Sequence, residues 1–474
     1  MKQIDIKDIK GGRVHFVGIG GISMSGLAEF LLQKGYIVTG SDVMDSYITR
    51  DLQNKGIDIN IGHDGSKVIG ADLVVYTSAI ITSGENPEIL EAEKRNIPLM
   101  NRAVLMGQIM KEFPNAIGIA GTHGKTTATS MLSHIMVEAR LDPTIFVGGK
   151  LDAIGGNVRI GNSPHFLVEA CEFSGSFLEM SPYIAVILNI DNDHLDYFKD
   201  MEEIYYTFME FASLVPSRGF VIGCNDDPMV KRLLDEIDNR TISFGIQSKA
   251  DWVARDINYK ANDHTSFRAV YKGQDMGRFT LNVPGKHNVY NALAAIATAW
   301  ASGISLETIK SGLASYKGTH RRFEIKGVVE GVTVIDDYGH HPTEIKATLD
   351  AAQSYPHKKL WCVFQPYTFS RTKLLFDDFV NSFHGADEVI ITDIMGGREQ
   401  DTGLIHALDL VKAIKATGQP CRYLPTFDDV VDFLAANTRD GDVVLTTGCG
   451  NVYLAAEMLI QRMEEMLVAA TLER

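Results

Sequence analysis

The segment Gly121-Thr122-His123-Gly124-Lys125-Thr126-Thr127 stands between a short β-rich run and a helical stretch rich in Ala, Met and Leu. Glycines at such a turn let backbone N–H groups converge on phosphate oxygens, and the helix N-terminus adds a favourable dipole. Lys125 then reaches the β- and γ-phosphates of a nucleotide, and Thr126 ligates Mg2+. The motif is short at its start against the eight-position consensus, but its Gly-Lys-Thr core is intact. The competing reading is a glycine turn before a surface helix; Lys125 is expected on a solvent-facing loop. A second glycine loop, Gly18-Ile19-Gly20-Gly21-Ile22-Ser23, also separates a strand signal from a helix signal. Ser41 and Asp42 close the next strand, about 22 residues on, where a ribose is often bound. This segment fits close helix–sheet packing as well as nucleotide binding, and NAD and a UDP-sugar look alike here.

Further acidic, histidine and arginine residues fall at strand ends. Glu169 and Glu172 end the run Phe-Leu-Val-Glu-Ala, where ligand groups emerge from an open parallel sheet, so Glu169 is a natural Mg2+ ligand. His194, in Asn189-Ile190-Asp191-Asn192-Asp193-His194, is a candidate second metal ligand; either residue taken singly is more often a solvated strand-end residue than a ligand, and it is the two consecutive strand ends beside a P-loop that favour metal. Asn288 and Asn291 share one face of a helix, where the plain alternative is a cap. The cluster from Asp336 and Asp337 through Tyr338, Gly339, His340 and His341 to Pro342 makes a poor packing surface and a good ligand loop. Arg371 follows another strand and is a candidate carboxylate clamp, because a guanidinium forks onto two oxygens.

These residues need a scaffold of alternating strands and helices. Strand signals at Val14–Val17, Ile37–Thr39 and Leu73–Tyr76, with a helix closed by Gly35, read as a βαβ unit. Fresh strands follow at Ile117–Ala120, Phe166–Ala170, Ile184–Leu188, Phe220–Ile222 and Thr241–Phe244. Residues 252–283 read as an antiparallel meander and Asn288–Ala301 as a helix. Gly318–Arg322 is a linker before strands at Val332–Ile335, Leu360–Phe364, Glu388–Ile391 and Val443–Thr446. The expected architecture is α/β with three domains: a Rossmann-like domain over 1–113, a P-loop domain with a mostly parallel sheet over 114–320, and a second Rossmann-like domain over 321–474.

Composition narrows the function classes. The 474 residues are 45% hydrophobic and 22% charged, a globular balance that excludes a disordered majority. A net charge of −15 argues against a broad nucleic-acid footprint, which needs a basic face, but not against small anions held by a local cradle. Five scattered cysteines without a CxxC pair read as reduced thiols rather than a disulfide frame or zinc site. No signal peptide or membrane span is apparent, so a soluble, cytoplasmic protein without membrane partners is expected. Oligomeric state is not readable.

Taken in order, GIGGIS with GSD, GTHGKTT, VEACE, NIDNDHLDYF, GKHNVYN, HRRFE, DDYGHHPTEI and FQPYTFSRTK resemble the Mur ligase family of peptidoglycan synthesis, from about residue 14 to residue 373. The resemblance implies an ATP- and Mg2+-dependent amide ligase whose substrates are UDP-N-acetylmuramate and L-alanine, working through an acyl phosphate. It assigns the phosphates to Gly121–Thr127, the metal to Thr126, Glu169 and His194, and the UDP-sugar to Gly18, Gly20, Gly21, Ser23, Ser41 and Asp42. It puts Asn288, Asn291, Arg322 and Asp337 on the nucleotide, and Tyr338, His340 and Arg371 near the nascent amide and the alanine carboxylate. Two segments depart from the family pattern: Thr368 stands where many relatives have a second arginine, and VEACEFSGSF replaces EADESDASF. Rival readings are a family member using another amino acid, glycine or L-serine included, or a folate substrate; a P-loop switch or motor; and an NAD oxidoreductase. The last leaves Gly121–Thr127 unexplained, and the switch leaves Asp42 and Arg371 without a task.

Overall fold

The computed structural model describes residues 4–77, 80, 85–193, 197–260, 264–397 and 399–472. The chain forms two compact units: Met1–Asp191 with Met201–Ala250 and Ala294–Gly312, and Asn192–Asp200 with Asp251–Leu293 and Leu313–Arg474.

The first unit holds two sheets. One has β1 (Arg13–Val17), β2 (Ile37–Asp42), β3 (Asp58–Ile61), β4 (Leu73–Tyr76) and β5 (Leu99–Asn101), in the order β3-β2-β1-β4-β5. All its pairings are parallel. The strand order reverses beside β1, so the glycine loop after Val17 opens at the switch point, where α/β sheets leave a crevice. The other sheet has β6 (Asn115–Ala120), β7 (Thr144–Leu151), β8 (Gly156–Arg159), β9 (His165–Glu169), β10 (Ile184–Ile187), β11 (Phe220–Cys224) and β12 (Thr241–Gly245). Its first-unit strands run β12-β11-β10-β6-β9-β7-β8, and only β7–β8 is antiparallel. Here β6 lies at the switch point and delivers the P-loop. Ile117, Ile119, Ala185, Val186 and Ile187 are buried, as strands covered on both faces must be. Phe177 stacks on Phe211 at 4.5 Å between centroids and meets Phe208 edge-on at 5.2 Å, and Phe211 lies against Gly118 of β6.

The second unit contains the expected meander, β13 (Trp252–Lys260), β14 (His264–Tyr271) and β15 (Gln274–Leu281), and a sheet ordered β16-β17-β21-β18-β19-β20. That sheet comprises β16 (Glu324–Val329), β17 (Val332–Asp337), β18 (Leu360–Phe364), β19 (Glu388–Ile391), β20 (Cys421–Tyr423) and β21 (Val443–Thr447), parallel except for β16. Alternation along β18 sends Cys362 and Phe364 into one core and Trp361 and Val363 into the other. Both faces are therefore filled, and only the strand ends and their loops remain for ligands.

The expected strands are present; several are one to three residues longer, the one at Ile184–Ile187 is a residue shorter and the one at His165–Glu169 is shifted by one. Unforeseen are β3, β5, β7, β8, β16 and β20, most of them short or at sheet edges. All five cysteines are free. Among the described residues no helix is long and apolar enough to cross a membrane.

Candidate active site

The P-loop is built between β6 and the helix Lys125–Glu138. Gly121 and Gly124 take φ of +141° and +84°, and a Cβ on Gly121 would stand 2.9 Å from the Leu188 Cβ, so the turn needs glycine there. The loop after β10 braces it. Asn189 accepts the His123 N–H at 2.8 Å and returns a bond to the His123 carbonyl at 3.0 Å. His123 Nε2 lies 3.0 Å from an Asp191 carboxylate oxygen, and the Asp191 N–H donates to Thr122 Oγ1 at 2.9 Å. No side chain caps the helix at Gly124, which leaves its first-turn amides to a ligand.

Lys125 is not on a solvent-facing loop. It opens the helix with its side chain 17% exposed, and its Nζ donates to the Gly121 carbonyl at 2.5 Å and to both Glu172 oxygens at 2.9 Å. The Gly121 and Thr122 carbonyls both accept from the ammonium, while the Thr122 and His123 N–H groups are held by Asn189. Burial opposes its charge, but Glu172, Cys171 and Glu169 outweigh that and hold its pKa above the usual lysine value. Beside it Thr126 Oγ1 donates to Glu169 Oε2 at 3.1 Å, while Glu169 Oε1 accepts the Gly148 N–H. Thr127 is buried in the same turn. Glu172, named in the sequence with Glu169 at the strand end but given no task of its own, is thus the partner of the P-loop lysine. His194 lies outside the described residues.

In the first sheet, Gly18 has φ +81° and its N–H, like that of Ile19, donates to the Ser41 carbonyl. Asp42 Oδ2 accepts the Gly20 N–H at 2.8 Å, and a Cβ on Gly20 would fall 2.8 Å from that oxygen. The carboxylate expected at a ribose also shapes the loop. The helix Ile22–Gln33 follows Gly21 with no side-chain cap. Ser41 Oγ donates to buried Glu88 at 2.5 Å and lies 3.0 Å from His63 Nδ1, so its hydroxyl serves an internal network. Ser23 Oγ accepts from Arg102 Nη1 at 2.8 Å. Arg102, which nothing in the sequence singled out, opens the helix after β5.

In the second unit Asn288 and Asn291 are buried on the helix Lys286–Ala301. Asn288 Nδ2 donates to the Pro284 carbonyl at 2.6 Å and Asn291 Nδ2 to Asn288 Oδ1 at 3.3 Å, so Asn288 also anchors the helix start. Asp337 accepts the Phe323 and Gly339 N–H groups at 2.8 and 2.7 Å and the Thr348 hydroxyl at 3.1 Å. These bonds fix the turn after β17. Arg321 and Arg322 each lie 5.0 Å over the Tyr338 ring, which meets His340 edge-on at 5.7 Å. Arg371 Nη2 donates to Asp193 Oδ1 at 3.0 Å, both side chains being largely buried. Thr368, at φ +62°, accepts the Arg371 N–H on its hydroxyl at 3.3 Å, so it caps the short helix that carries the arginine.

Burial drives His340 down to about 4, with Glu344 opposing and Arg371 assisting, so its ring is neutral at pH 7. The unfolded ring titrates near 6.5, so between those values the unfolded chain binds more protons and stability rises with pH. This contribution is complete above about 6.5 and is lost as pH falls through 4, amounting to about 3 kcal/mol. His340→Gln should flatten the midpoint of urea unfolding against pH across that window; an unchanged slope there would contradict the buried neutral ring.

The chain belongs to the Mur ligase family. Family models for the Mur ligase catalytic domain, middle domain and glutamate ligase domain match residues 13–114, 119–299 and 321–450. It is 51% identical over 459 residues to the UDP-N-acetylmuramate–L-alanine ligase of Caldanaerobacter subterraneus subsp. tengcongensis, covering 97% of this chain and 99% of that one. It is 49% identical to the ligase of the same name from Acetivibrio thermocellus, over 99% of this chain and 100% of that one. Among solved structures, the UDP-N-acetylmuramate-alanine ligase of Thermotoga maritima superimposes with a TM-score of 0.83 at 27% identity, covering 96% of this chain and 100% of that one. A murein peptide ligase from Psychrobacter arcticus shares the fold, with a TM-score of 0.71 at 24% identity over 95% of this chain and 98% of that one.

Proposed function

We propose that the chain joins L-alanine to the lactyl carboxylate of UDP-N-acetylmuramate, converting ATP to ADP and phosphate, in peptidoglycan precursor synthesis in the cytoplasm. The observation that carries this reading is the match, at about half identity over nearly the whole length, to ligases bearing that name. The P-loop chemistry supports it. A carboxylate is a poor electrophile, and phosphorylation activates it. A lactyl oxygen attacks the γ-phosphorus in line, the bond to the β-phosphate oxygen breaks, and ADP leaves an acyl phosphate. Two anions must approach, and Lys125, kept charged by Glu172, lowers that barrier along with the uncapped first-turn amides of the helix it opens. The neutral amine of alanine then attacks the acyl carbon, and phosphate departs from the tetrahedral intermediate.

Thr126 and Glu169 bring a hydroxyl and a carboxylate within 3.1 Å, a hard-oxygen pair that suits Mg2+. With His194 they would hold the ion, which supplies charge neutralisation on the phosphates. Glu169→Ala and His194→Ala should each raise the Mg2+ concentration giving half-maximal rate, with UDP-sugar binding unchanged. A wild-type Mg2+ titration in either variant would remove that residue from the metal site.

Within this reading the UDP-sugar binds at Gly18, Gly20, Gly21, Ser23 and Asp42, while Ser41, fully buried with its hydroxyl on Glu88, supports the loop from within instead of touching the substrate as the sequence led us to expect. Asn288, Asn291, Arg322 and Asp337 serve the nucleotide; Tyr338, His340 and Arg371 serve the amino acid. The domain limits fall at 113/114 and 320/321. The test is product formation with ATP, Mg2+, UDP-N-acetylmuramate and L-alanine, glycine or L-serine in separate reactions, followed by mass spectrometry. The alanyl product should form fastest; no amide product with any of the three would overturn the assignment.

A further inference from the structure

The Arg102 guanidinium is a largely desolvated cation that bonds a hydroxyl and no carboxylate among the described residues. It opens the helix Arg102–Met110, whose N-terminus is capped by the Asn101 side chain through the Ala103 N–H at 2.8 Å, so the helix does not need the arginine for its cap. A guanidinium carries five donors. Only one is used among the described residues, from Nη1 to Ser23 Oγ at 2.8 Å. No carboxylate there pairs with it, although it is largely withdrawn from solvent and burial lowers its pKa from the ordinary arginine value. The ionisable group acting on its charge is the Cys171 thiol, which also lies within electrostatic reach of Lys125. Folding has therefore desolvated a cation without giving it a counter-charge, which costs stability unless a ligand supplies one.

What adjoins it indicates the ligand. Ser23 lies in the first turn of the helix that leaves the Gly18–Gly21 loop, and that turn has no side-chain cap. The uncapped helix start and a guanidinium with one of its five donors in use are thereby joined through the Ser23 hydroxyl. Both favour the same charge, and an arginine fork fits the paired oxygens of a phosphate. Resting on the UDP-sugar reading above, we propose that Arg102 anchors the substrate by placing its guanidinium on the diphosphate of the UDP-sugar, positioned by Ser23.

Calorimetric titration of the full chain with uridine, UDP and UDP-N-acetylmuramate separates the possibilities. In Arg102→Ala, affinity for UDP and for the UDP-sugar should fall together by about ten- to hundredfold, the usual range for a lost charge-assisted contact. Uridine affinity and the KM for ATP should hold, and Arg102→Lys should recover part of the loss. Equal weakening of uridine and UDP would make the arginine a structural support and overturn the proposal. Weakening confined to UDP-N-acetylmuramate would move it to the lactyl carboxylate, and unchanged binding throughout would leave it no role; either result overturns the proposal. Failure of the wild-type chain to bind UDP at all would overturn the functional reading and this inference with it.

Discussion

Lys125→Ala should lower kcat by about 10²–10³, the usual cost of removing one preorganised contact to a transferring charge. Stability should fall as well, because Glu172, 2% exposed, loses the ammonium 2.9 Å from both of its oxygens. Removing one partner of a buried pair costs roughly 3–5 kcal/mol, and the partial exposure of Lys125 places this case at the low end. Lys125→Ala combined with Glu172→Gln separates the two effects. The neutral amide removes the buried charge that has lost its ammonium and should restore most of the unfolding free energy, while turnover stays low. Retention of more than a tenth of wild-type kcat in Lys125→Ala would remove the lysine from phosphoryl transfer. Recovery of activity in the double variant would do the same.

Arg371→Ala should raise the KM for alanine about ten- to hundredfold with little change in the KM for ATP, the effect of losing roughly 1.5–3 kcal/mol of charge-assisted contact. Burial works against the Arg371 charge, but Asp193 outweighs it, so the guanidinium stays ionised in a largely dry setting. There a planar fork discriminates carboxylates well, and Arg371→Lys should rescue only part of the loss. Thr368 sharpens the expectation. At Thr368, the position the family resemblance marked as a departure, the hydroxyl caps the helix carrying Arg371. A carboxylate clamp of the kind proposed would then rest on one guanidinium. An unchanged alanine KM together with a raised ATP KM would reassign Arg371 to the nucleotide.

Much of this is legible in the local chemistry of the sequence. Gly121 and Gly124 occupy the positions where the backbone needs positive φ, and β6, β9 and β10 are dense apolar runs that a buried parallel sheet requires. What escaped was short or non-local. Asp58–Ile61 and Leu99–Asn101 are too brief and polar for a period-two pattern to register. The glycines at 148 and 149 interrupt the β-rich signal of Thr144–Leu151. The solvent-facing expectation for Lys125 failed because spacing says nothing of where a side chain bends, and its partner is 47 residues away. Arg102 sits 79 residues from Ser23, and in sequence it is one arginine at a helix start. Such pairs exist only once two βαβ layers have folded.

Activation of a carboxylate by phosphoryl transfer, ahead of amide formation, is the step on which every assigned role depends. UDP-N-acetylmuramate labelled with oxygen-18 in its lactyl carboxylate, supplied with ATP, Mg2+ and L-alanine, tests that order through the fate of the label. The attacking carboxylate oxygen leaves with the phosphate when the amine displaces it, so inorganic phosphate should carry one labelled oxygen for each amide formed. Unlabelled phosphate, or label in AMP with release of pyrophosphate, would contradict the acyl-phosphate account.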